Sequence, residues 1–167
     1  METTRTILRP YTQEDEDFLF HMLKAPEMMR YIGDGKTKDR DGTRRFLQWI
    51  MRAYAEDERN GLMIILHKDS GQRIGHAGLV PQVVEGQQEM EVGYWIWKEY
   101  WRKGYATEIA ESLVRRGRAR RISRLIALIH HENLPSISVA EKIGMVYEQD
   151  VVVNNKKVCL YALKTRD

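Results

Sequence analysis

The chain has 167 residues, enough for one domain with a real hydrophobic core and too few for two comfortable ones. Hydrophobic residues make up 43% and charged residues 31%, which excludes a disordered chain; the net charge of +3 is mild and compatible with an anionic ligand or a solvated surface. A single cysteine, Cys159, excludes an internal disulfide and a cysteine-based metal cage, which fits a reducing cytoplasm.

Thr4 to Leu8 reads as a strand ended by Pro10, too short an apolar run for a signal peptide, and no later segment reaches membrane-spanning length. Thr12 with Asp15 resembles a capping box, after which Phe18, Leu19, Met22 and Leu23 recur at helical spacing until Pro26 stops the helix. A polar loop from Gly33 to Gly42 precedes a second helix with Phe46, Leu47, Ile50, Met51 and Tyr54 on one stripe. Strands at Leu62–Leu66, Arg73–Val84 and Glu89–Trp97, parted by turns at Asp69-Ser70-Gly71 and Gly86, predict an antiparallel meander.

A glycine-bearing turn then leads into an amphipathic helix marked by Ile109, Ala110, Leu113 and Val114, with glutamates early and arginines late, as the helix dipole favours. Leu125–Ile129 is a buried-strand run, Ser136–Ile143 a short helix with Gly144 at its C′ position, and Val146–Val153 a strand. Asn154-Asn155 turns the chain into a last strand, Lys157–Leu163, where Cys159 is expected to pack as a small hydrophobe. Neither repeats nor a low-complexity linker interrupt this order, so residues 1–167 are expected to form one domain.

The chemistry is concentrated around Trp101-Arg102-Lys103-Gly104-Tyr105-Ala106-Thr107. A strand, a tight turn and a helix start in succession present free N–H groups to an anion. Gly104 and Ala106 are small enough for the backbone to approach a phosphate, while Arg102 and Lys103 add positive charge beside it. The same turn also reads as an ordinary helix start. Glu89 and Glu91 share one face of their strand with Gly93 and Trp95.

With those segments go Leu8-Arg9-Pro10, Glu91-Val92-Gly93-Tyr94-Trp95-Ile96, Asn133-Leu134-Pro135-Ser136 and Glu141-Lys142-Ile143-Gly144-Met145. Together, over nearly the whole chain, they resemble the GNAT superfamily of acetyl-CoA-dependent N-acetyltransferases, and most of all its ribosomal-protein alanine N-acetyltransferase branch. The resemblance implies an α/β mixed fold with a mostly antiparallel, splayed seven-stranded sheet and about four flanking helices. It further implies acetyl-CoA as co-substrate, its pyrophosphate on the Trp101–Thr107 turn, and its pantetheine arm against the backbone of Tyr94, Trp95 and Ile96 and the side chain of Asn133. Trp101 stands where the family's turn begins with Gln or Arg.

Where the generic family carries an acidic tyrosine, two residues before Lys142, this chain has Ala140, which leaves Ser136 as the nearest proton donor for the departing thiolate, or as a plain helix cap. The acceptor amine, with a solution pKa of about 10, must lose a proton before attack, and Glu91 is the favoured base, with Glu89 beside it. His67, His76, His130 and His131, with His21 more distant, are weaker candidates, and none shows metal-ligand spacing, so no metal is expected. Tyr105 and Tyr147 are expected to pack.

The expected activity is transfer of acetyl from acetyl-CoA to a primary amine, of a protein N-terminus or a small molecule, in a cytoplasmic monomer or homodimer without membrane or nucleic-acid partners. A catalytically silent CoA- or partner-binding relative is the alternative, given Ala140. A nucleic-acid domain built on Arg115, Arg116, Arg118, Arg120 and Arg121 is a third, although these residues read better as an exposed helix end without interleaved aromatics.

Overall fold

A computed structural model describes residues 1–166. Its strands are β1 (Thr6–Pro10), β2 (Gly61–His67), β3 (Arg73–Val84), β4 (Gln87–Ile96), β5 (Arg124–Ile129), β6 (Val146–Val153) and β7 (Lys156–Lys164). The helices are α1 (Glu16–Leu23), α2 (Pro26–Met29), α3 (Arg40–Glu56), α4 (Tyr105–Ala119) and α5 (Leu134–Lys142). The strands form one mixed sheet in the order β1-β2-β3-β4-β5-β7-β6, antiparallel throughout except at β4–β5. This is the splayed α/β arrangement that the sequence resemblance implies.

Alternation along the strands sends apolar side chains to both faces. Leu62 and Ile64 of β2 meet Leu19, Leu23, Leu47 and Ile50 of α1 and α3, whereas Met63 and Ile65 face the cluster holding Ile109 and Leu113 of α4 and Ala140 of α5. The helices therefore cover the sheet on both sides. Among the described residues no helix is long and apolar enough to cross a membrane.

Three local expectations need correction. Pro10 lies inside β1 rather than beyond it, opposite Met63, because an edge strand tolerates a missing N–H. Pro26 does follow the first helix but also opens a second, one-turn helix at its N1 position, where its fixed φ is already helical. The loop expected to reach Gly42 ends earlier, since the Asp39 carboxylate accepts the Gly42 N–H at 2.8 Å and caps α3.

Other details follow from local chemistry. The Asp15 carboxylate accepts from the Thr12 N–H as the capping box requires, and its pairing with Arg9 at 2.8 Å holds its pKa down to about 2. After α5, Gly144 at φ +89° donates to the Glu141 carbonyl and Met145 to that of Ala140, a Schellman closure. Arg120 is not a free end-of-helix cation: it donates to Asn60 at 2.6 Å and to the Arg59 carbonyl at 3.1 Å, tying the end of α4 to the turn before β2.

Candidate active site

The parallel pairing of β4 with β5 consists of Glu91 opposite Ile126 alone, and beyond it the two strands part. The gap is a cavity of about 670 Å³. Its walls are Glu91–Ile96 of β4, Ala127–Ile129 of β5, the turn before α4, the start of α5, and Glu27, Met28, Tyr31 and Ile32 from α2 and the residues after it. One opening thus sees the Trp101–Thr107 turn, a carboxylate and two helix starts.

The turn is built on two left-handed residues, Arg102 at φ +59° and Gly104 at φ +82°. Gly104 occupies the N-cap of α4, so no side chain occupies the helix end and its first N–H groups face outward. Arg5 braces the turn from behind: one guanidinium nitrogen donates to the Lys103 carbonyl at 2.9 Å and another to Glu108 at 2.7 Å. The Arg5 backbone N–H and the Thr3 hydroxyl also donate to Glu108, which satisfies that carboxylate's lone pairs at the start of α4. Tyr105 tucks under the turn with its hydroxyl 2.9 Å from His67 Nε2.

Of the cofactor residues expected from the sequence, Tyr94, Trp95, Ile96, Trp101, Arg102, Gly104, Tyr105, Ala106, Thr107 and Asn133 all border the cavity. Lys103 does not; its ammonium lies over the Tyr100 ring, 5.6 Å from the centroid. Trp101 borders the cavity with its indole N–H donating to the Ile96 carbonyl at 2.6 Å, so it engages a main-chain acceptor at the cavity rim.

Glu91 and Ser136 share the cavity. One Glu91 carboxylate oxygen accepts from Gln82 Nε2 at 2.7 Å, and burial nonetheless pushes its pKa above the ordinary carboxylate value. Glu89, on the same strand face, is instead paired with Arg124 at 3.1 Å. That ion pair leaves Glu91 as the carboxylate turned into the gap.

The reading of Ser136 as a helix cap is overturned. Asn133 caps α5, its side-chain oxygen accepting the Ser136 N–H at 3.3 Å, so Ser136 is the third residue of the helix with its hydroxyl uncommitted to capping. Ala140 is fully buried and offers nothing polar. Sequence reasoning missed Tyr94 as a side chain: its hydroxyl donates to the Ser136 carbonyl at 3.3 Å, and burial pushes its pKa up to about 12. The alternation of β4 could have found it, since Tyr94 points to the opposite face from Glu91 and Trp95.

The histidines separate cleanly. His76 is fully buried between Tyr11, Phe46 and Trp95, and burial brings its pKa down to about 3, so it is neutral. His130 packs on Tyr31, and His131 meets Cys159 Sγ at 3.0 Å, an approach that the expectation of a merely apolar Cys159 did not contain.

The comparisons with known proteins agree with this geometry. The acetyltransferase (GNAT) domain family matches residues 5–146. The chain belongs to the GNAT acetyltransferase family. Its members transfer an acetyl group from acetyl-CoA to an amine. The chain is 34% identical to the uncharacterized protein YkkB of Bacillus subtilis over 167 residues, covering 98% of this chain and 94% of that one. Its fold is similar to that of an acetyltransferase from Agrobacterium tumefaciens, with a TM-score of 0.82 at 21% identity over 98% of this chain and 92% of the other. A spermidine N-acetyltransferase from Vibrio cholerae, solved with CoA and spermine, superposes with a TM-score of 0.77 at 14% identity over 97% and 96% of the two chains. At these identities the two structures speak for the fold.

Proposed function

We propose that this GNAT chain transfers acetyl from acetyl-CoA, lying across the β4–β5 gap, directly to a primary amine that enters past α2. The observation that carries the reading is the union, in one cavity, of an uncapped helix start at Gly104 and a carboxylate of raised pKa at Glu91. In this reading the N–H groups of α4 hold the pyrophosphate, with Arg102 beside them. Asn133 and the backbone of Tyr94, Trp95 and Ile96 line the path of the pantetheine arm.

Glu91 takes the proton that the ammonium must lose, and a raised pKa brings it closer to the working pH of a general base. A main-chain N–H of β4 near Trp95 polarises the acetyl carbonyl, and the amine attacks without an acyl-enzyme. The departing thiolate meets Ser136, with the Tyr94 hydroxyl next to it as a second donor. Glu27 at the cavity wall adds negative charge on the path of a cationic acceptor. Within the family we place the chain nearest the ribosomal-protein N-acetyltransferase branch, on the motifs quoted above, which favours a protein N-terminus as acceptor.

The test is a screen of peptide N-termini, polyamines, aminoglycosides and small metabolite amines with acetyl-CoA and mass detection of product. Saturable acetylation of one class identifies the acceptor. Tight CoA binding with no product from any class refutes the enzyme in favour of the catalytically silent reading.

A further inference from the structure

Outside the acetyl-transfer cavity, the sheet brings together three side chains that lie far apart in sequence. The register sets Ile129 of β5 and Asp150 of β6 both opposite Cys159 of β7, so the chain leaving β5 carries His131 to the same spot. Cys159 Sγ lies 3.0 Å from His131 Nδ1, and His131 Nε2 lies 3.9 Å from Asp150. One ligand atom from each of the three residues falls within 4.8 Å of the others.

We propose that His131, Asp150 and Cys159 form a site for a thiophilic divalent cation, with zinc the metal their chemistry suits. Zinc bonds of roughly 2.0–2.3 Å in tetrahedral array set ligand atoms about 3.5 Å apart, so the longest separation, up to 4.8 Å, closes by about an ångström while the Cys159–His131 pair at 3.0 Å opens by about half of one. A thiolate, an imidazole and a carboxylate select zinc over magnesium or calcium, which prefer oxygen alone. Thiolate and carboxylate together balance the two positive charges, and the thiol proton leaves to solvent as the sulfur–metal bond forms.

Placement favours a site over a chance meeting. Cys159 is buried and Asp150 half-buried on paired strands, which fixes two ligands, while the exposed His131 can turn to complete the set and leave a fourth position to water. Without metal, Asp150 is held by Lys157 at 3.4 Å and by the Tyr147 hydroxyl at 3.2 Å; the Lys157 side chain is 68% exposed and free to swing out. A bound ion would also brace the short link from β5 to Asn133, the cap of α5.

Cobalt(II) is the probe, titrated into the full chain carrying no histidine tag and stripped with chelator. One equivalent should bind with thiolate-to-metal charge-transfer absorption in the near ultraviolet, and zinc should displace it. Cys159→Ser should lose that absorption, and His131→Ala, at an exposed position that leaves the fold intact by circular dichroism, should bind at least tenfold more weakly. Absence of the charge-transfer band, or unchanged affinity in both variants, overturns the site.

Discussion

Glu91→Gln should move activity and stability in opposite directions. Gln keeps the shape and one acceptor for Gln82 Nε2 but cannot take a proton. Loss of a general base typically costs about 10²–10⁴-fold in turnover, or roughly 3–5 kcal/mol of barrier at about 1.4 kcal/mol per decade. The KM for acetyl-CoA should change little, because the proposed cofactor path runs along the main chain of β4 rather than this carboxylate. Stability runs the other way. Burial raises the folded-state pKa of Glu91, so the folded protein holds that proton more tightly than the unfolded chain does. Ionisation therefore withdraws stability as pH rises from the unfolded value, about 4.3, up through the raised one, and the deficit persists above it. Gln mimics the protonated form. The variant should match wild type in acid and exceed it at pH 8, by about 1.4 kcal/mol for each unit by which the pKa is raised. Paired denaturant melts at pH 4 and pH 8, with a pH–rate profile of wild type and variant, make the measurement. An acidic limb that survives at full height in the variant would falsify Glu91 as the base, and a variant less stable than wild type at pH 8 would refute the burial argument.

Gly104→Glu should abolish CoA binding by calorimetry, while the left-handed φ costs only about 1–2 kcal/mol of stability; retained micromolar affinity would move the pyrophosphate elsewhere. Asn133→Ala should lower stability by about 1 kcal/mol as the cap of α5 is lost, whereas Ser136→Ala should leave the melting temperature unchanged and slow turnover, and the reverse pattern would restore Ser136 as the cap. His76, neutral and buried with a pKa near 3, lets the unfolded chain bind a proton that the folded one cannot, so it should withdraw stability as pH falls from about 6.5 toward 3. His76→Phe should flatten that part of the pH–stability curve, and an unchanged slope would mean that His76 accepts a proton in place.

The parts of this molecule that were legible in the sequence are those governed by local rules. The strand signal from Arg73 to Val84 matches the observed bounds of β3, and two asparagines in succession, now seen at φ +50° and +61°, placed the last hairpin. The turn at Gly104 was readable because a left-handed N-cap with no side chain leaves few other options at the start of an amphipathic helix. What escaped was set by contacts between distant segments. One-turn α2 has no periodicity to detect, yet it supplies Glu27 and Met28 to the cavity. Ser136 and Asn133 are both good cap residues three apart in sequence, and only the path of the chain out of β5 decides that Asn133 takes the cap and frees the Ser136 hydroxyl. Arg124 draws Glu89 away from the cavity through a parallel strand pairing that no motif announces, and this pairing, more than any property of Glu91 itself, singles out one carboxylate of two. The His131–Asp150–Cys159 group follows the same logic. Its spacing in sequence resembles no ligand pattern because two strand registers, β5–β7 and β6–β7, rather than one helix or loop, bring its atoms together.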